Sequence, residues 1–164
     1  MNTSEQDFSL WRAAVDEAGH VIEGRKLGVS IKSAVINPSG VCQTVPDFST
    51  VTTVEVAAKL RLAGLVALMV MKCWNYQDAK QPDFVTTKQW LTKKRAEQGL
   101  SEQFAARQAE VDMQRWLNEV RATLSEPETR TALEKCAEYM FEHHHLDGDD
   151  VEEVITSFFI TSPA

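Results

Sequence analysis

The chain has 164 residues, 43% of them hydrophobic and 25% charged, which are the proportions of a soluble globular protein long enough to bury a substantial core. Twenty-four acidic against seventeen basic residues leave a formal charge of −7, which argues against nucleic acid or an anionic membrane surface as partner. Cys42, Cys73 and Cys136 form no C-x-x-C pair, residues 1–7 make no signal peptide, and the apolar run 62–71 is about half a membrane span, so a single cytoplasmic domain over 1–164 is expected, with its core at about 10–156 between flexible ends.

A first helix is expected from a cap at Ser4 or Asp7 to about Lys26, closed by Leu27-Gly28. Trp11, Ala14, Ala18 and Val21 follow the rhythm of a buried face, and the small pair Ala18-Gly19 lets another backbone come close. On a second face lie Asp16, His20 and Glu23. The run Asp16-Glu17-Ala18-Gly19-His20 is a zinc-peptidase helix with one letter changed. A zincin sets two histidines one turn apart toward one metal, and a glutamate after the first takes a proton from water there. Glu17 and His20 occupy the base and second-ligand positions, while Asp16 stands in place of the first histidine. The same side chains also fit an ordinary ion pair on a helix, worth a few tenths of a kcal/mol.

Ile31–Ile36 is rich in β-branched residues and partly alternating, so a strand is expected there, followed by a turn at Asn37-Pro38-Ser39-Gly40. Residues 41–45 return as an edge-like strand closed by Pro46-Asp47. From Thr53 to about Tyr76 the pattern is helical and apolar all round, which marks a helix buried centrally. A polar loop containing Pro82 precedes a helix from about Phe84 to Gln98, stopped by Gly99. Ser101 is placed to cap a long helix to Thr123 or Leu124, with Met113, Leu117, Val120 and Leu124 inward. Ser125-Glu126-Pro127-Glu128 reads as a capping box opening a helix that buries Leu133, Ala137 and Met140. That helix runs to His143-His144-His145, where positive charge suits the helix end; adjacent side chains diverge and do not share one metal. Residues 146–150 form a loop and cap before a short helix, 151–158. The expected class is mainly α with a small β element, α+β.

Several of these pieces fall in a familiar order. The run 15–21, then Leu27-Gly28-Val29, then a strand ending Val35-Ile36-Asn37-Pro38, then Leu62-Ala63-Gly64, then Leu133-Glu134-Lys135-Cys136-Ala137 and Leu146-Asp147-Gly148-Asp149-Asp150-Val151, resembles the peptidase domain of the FtsH family of AAA zinc metalloproteases. The resemblance covers roughly residues 10–156. It implies a zincin-like domain with a central apolar helix and a closing helical hairpin over 114–155, zinc as cofactor, a peptide or protein as substrate or partner, and a homo-oligomer as a family trait. Carried across one residue at a time, it makes Glu17 the general base and His20 a metal ligand. Asp83, after Gln81-Pro82, matches the family's distant aspartate, with Asp78 as the fallback; Asp83 also suits a plain helix cap. Three features depart from the family: Asp16 for the first histidine, Ala67-Leu68 where the family has an A-E pair, and no ATPase motif or membrane helix ahead of the domain.

Aspartate binds zinc through oxygen at about 2.0–2.2 Å, but its side chain is roughly two bonds shorter than histidine's, so either the metal shifts or water bridges the gap. A site of Asp16, His20 and Asp83 carries two negative charges and so leaves water there less acidic than a two-histidine site does. Mn or Mg becomes conceivable, while one nitrogen donor still favours zinc or iron. Three readings stay open: a metallopeptidase with an altered site, an inactive pseudopeptidase serving as a binding or oligomerisation module, and an accidental motif. Residues 41–45 are the candidate edge for a peptide added as an extra strand.

Overall fold

The computed structural model describes residues 3–37, 42–73, 82–148 and 151–160, with side chains from residue 6 and, after the second gap, from residue 84. The helix α1 (Thr3–Lys26) begins ahead of both Ser4 and Asp7, so neither is its cap. It ends as expected at Gly28, whose φ of 72° is the left-handed turn that glycine adopts without strain. Val29 N–H donates to Gly24 O and Gly28 N–H to Arg25 O, the paired bonds that close a helix around such a turn.

Strands β1 (Ile31–Ile36) and β2 (Cys42–Pro46) pair antiparallel; the expected turn at 38–40 and Val41 lie outside the described residues. The register slips between Ile31 and Ser33, which is why Ile31, Ala34 and Ile36 are all buried although a regular strand would alternate. A third strand, β3 (His145–Asp147), pairs antiparallel with the other side of β1, giving the order β2-β1-β3. Sequence pattern read residues 146 and 147 as loop. Three residues are too few to show a period, and β3 exists because His144, at φ 64°, turns the chain back beside β1.

Helix α2 (Val54–Val70) starts at Thr53, whose side chain accepts from Val56 N–H, as expected. It stops at Val70, short of Tyr76. Lys72 takes the left-handed conformation (φ 58°), Cys73 N–H reaches back to Leu68 O and Lys72 N–H to Met69 O. This is the same closure as at Gly28, built on a residue that gives no sequence signal for it. Helix α3 (Pro82–Glu97) ends at Gly99 (φ 92°) as expected. Helix α4 (Glu102–Ser125) runs through Ser125, so the cap of α5 (Pro127–His143) is Glu126, with Pro127 in the first turn and no side-chain capping bond. The expected capping box is therefore absent. Helix α6 is Val151–Phe158.

The protein is mainly helical with a small antiparallel sheet. Two buried clusters share α2. One joins Ala63, Val66 and Ala67 to Ala14, Ala18 and Ile22 of α1, the inner face of the sheet, and α5 and α6. The other joins Ala58 and Leu62 to Leu91 of α3 and to Ala109, Met113 and Trp116 of α4. A helix with core on both sides must be apolar all round, which is what the sequence of α2 shows. No helix among the described residues is long and apolar enough to cross a membrane.

Candidate functional site

The site grows out of the crossing of α1 and α2. A Cβ on Gly19 would lie 2.6 Å from Ala63 O and 2.6 Å from Ala67 Cβ, so only glycine permits this approach. The close crossing brings the backbone of α2 to the side chains of α1. His20 Nδ1 lies 2.7 Å from Leu60 O. A carbonyl oxygen only accepts, so Nδ1 carries the proton, a tautomer that in the neutral ring leaves the lone pair on Nε2. Nε2 faces Asp16 Oδ2 at 4.0 Å, with both side chains mostly covered.

Gly64 completes this corner. A Cβ there would sit 2.5 Å from Asp16 Oδ1 and 2.6 Å from His20 Nε2, so the two donor atoms converge on space that a missing side chain leaves. A tetrahedral ion bound at about 2.0–2.2 Å holds its donor atoms about 3.4 Å apart, so the 4.0 Å between His20 Nε2 and Asp16 Oδ2 would have to shorten around such an ion. The ring nitrogen fixed on a backbone carbonyl is also the support that metal-binding histidines ordinarily have. Asp16 and His20 therefore fit as two donors to a zinc-like ion.

Glu17, next in sequence, is buried and points to the sheet, where the Thr44 hydroxyl of β2 donates to its Oε2. Glu17 and His20 open together into a cleft of about 400 Å³. Cys42, Gln43, Thr44 and Pro46 of β2 line one side of it; Leu60 and Arg61 of α2 and Trp90 of α3 line another. Arg61 lies over the Trp90 ring, 5.1 Å from its centroid. Because β2 is at the end of the strand order, its outer edge has no partner strand among the described residues.

Of the residues expected to form a site, Asp16, Glu17 and His20 lie together. Asp83 is the second residue of α3, two helical turns ahead of Trp90, and its side chain lies outside the described residues; Asp78 lies outside them altogether. Among the described residues no group of three His, Cys, Asp or Glu side chains could hold a metal ion. The three histidines at the end of α5 diverge: His143 Nδ1 bonds Tyr139 O, and His145, on β3, bonds His143 O. Burial pushes the Cys136 thiol far above its usual range, so that cysteine is an inert apolar residue. Thr44, Arg61 and Trp90 were not singled out by sequence; Thr44 lay within the candidate edge strand, while Arg61 and Trp90 carry no local signal. No protein-family model matches the chain, and no curated protein matches it significantly.

Proposed function

We propose that this chain is an FtsH-type, zincin-like peptidase domain with an altered metal corner, binding an extended peptide along the outer edge of β2. One observation carries the reading: His20, with Nδ1 tied to Leu60 O, turns Nε2 to Asp16 beside Gly64, at a cleft shared by Glu17 and an open strand edge. The residues that would hold the ion are Asp16 and His20, with Asp83 of α3 as the third. When bound, zinc would supply Lewis acidity, making water more acidic and polarising a peptide carbonyl.

The remaining roles belong to the chain itself. Unpaired backbone groups of β2 would hold the substrate extended, as an added strand. Thr44 orients the Glu17 carboxylate by donating to Oε2. Glu17 would take the proton from water and return it to the leaving amine. Leu60 O holds the imidazole of His20 in one tautomer and one orientation.

A second reading is favoured by the same 4.0 Å pair: Asp16 and a protonated His20 as an ion pair in an inactive module that keeps the peptide groove. The two separate on protein purified without chelator. The peptidase reading expects near-stoichiometric transition metal by mass spectrometry and hydrolysis of casein. Absent metal and absent hydrolysis in wild type, with zinc gained by Asp16→His, would establish the inactive module. Failure of Asp16→His to take up any metal would overturn the inferred corner itself.

A further inference from the structure

We propose that Arg61 is the residue by which this cleft recognises a carboxylate on its bound peptide. The inference rests on reading the cleft as a peptide groove, but not on hydrolysis. Arg61 follows Leu60, the residue whose carbonyl holds His20, and opens into the same cleft as Glu17, His20 and β2. It is the only lysine or arginine among the described residues that line the cleft.

Four of the chain's other arginines are tied to carboxylates. Arg25 pairs with Glu152, Arg95 with Asp112, Arg115 with Asp112 and Glu119, and Arg130 with Glu134. Arg61 makes no ion pair with a carboxylate among the described residues, in a chain where acids outnumber bases. What holds it is Trp90. A guanidinium stacked on an indole is engaged through its face, which leaves the N–H donors at its edge directed outward. Those donors form a fork that matches a carboxylate in a bidentate pair, and the stacking removes part of the ordering cost beforehand.

The surrounding charge makes the arrangement selective. Arg61 is the cation on this cleft and Glu17 its carboxylate among the described lining residues, so an anionic peptide group is favoured at the Arg61 end. A peptide lying on β2 would therefore be oriented, with its acidic group toward α2 and α3. That group is either a C-terminal carboxylate or the side chain of Asp or Glu; the chemistry at Arg61 is the same.

The test uses the full chain and four pools of random octapeptides carrying an uncharged fluorophore, with or without Asp and Glu and with a free or amidated C-terminus. Binding is read by fluorescence anisotropy. Pools carrying the recognised carboxylate should bind roughly two- to fivefold tighter than the neutral pool, as expected for one ion pair to an exposed guanidinium. Arg61→Gln should erase that advantage and Arg61→Lys should keep part of it. Loss of the advantage on amidation identifies the chain terminus; loss on omission of Asp and Glu identifies the side chain. If the neutral pool binds as tightly as the others, or the advantage survives Arg61→Gln, the role of Arg61 is wrong while the peptide groove stands. If no pool binds, the groove itself is wrong, and this inference goes with it.

Discussion

Two carboxylates on α1, six residues apart, are treated in opposite ways. Glu17 is buried at the mouth of a cleft, and a hydroxyl from the edge strand donates to it. Glu23 is just as deeply buried, but its Oε2 has no hydrogen-bond partner among the described residues. Burial pushes its carboxyl up from 4.5 to about 7, against the pull of Lys59 and Lys26 and with a small push from Glu126. Lys59, the larger of those two pulls, is shared with Glu55 and Glu119, each of which it bonds at 2.7 Å. One end of the α1–α2 crossing is thus set up to keep an acid in contact with a groove. The other end hides an acid at a cost to stability. The difference shows that burial alone does not separate the two carboxylates; a donor and an opening do.

Three substitutions would break or sharpen this contrast. The largest effect is expected from Glu17→Gln: casein hydrolysis should fall by about 10²–10⁴, the usual contribution of a positioned general base, with little change in the unfolding midpoint. Next is Glu23→Gln. Because the folded-state value of Glu23 lies above its unfolded value, the protonated form favours folding. Its stabilising effect is complete below pH 4.5 and is lost as the pH rises through about 7. Urea denaturation at about pH 5 and pH 8 should show wild type losing up to roughly 3 kcal/mol over that range, a loss that the glutamine variant escapes. Hydrolysis and metal content should not change.

The third substitution is Gly64→Ala. Its Cβ would crowd Asp16 Oδ1 and His20 Nε2, costing about 1–3 kcal/mol in unfolding experiments. It should nonetheless remove metal uptake. The pH dependence assigned to Glu23 should survive it, since that residue lies at the other end of the crossing.

Much of the scaffold was legible because it rests on local chemistry. Gly28 and Gly99 announced the ends of α1 and α3, Thr53 the start of α2, and the all-round apolar sequence of α2 its central place. The elements that escaped depend on contacts made elsewhere. Lys72 ends α2 in a conformation usually left to glycine, and β3 is a strand only because β1 lies alongside it. The site divides in the same way. Asp16, Glu17 and His20 share one helix, and their spacing was enough to place them together. Arg61 and Trp90 lie 29 positions apart on separate helices, and only tertiary packing stacks one over the other. Gly64 entered only as part of the Leu62-Ala63-Gly64 resemblance, which does not mark it as the neighbour of a particular imidazole.

The strand order has a consequence for how the molecule is made. The middle strand of the sheet is finished early in the chain, yet its second flank is covered only by residues 145–147. During synthesis that flank stays bare until most of the polypeptide has emerged, presenting hydrogen-bonding groups to any extended neighbour. Nascent chains halted before β3 should therefore be the species most prone to clump, and those that have passed it should no longer need shelter on that flank.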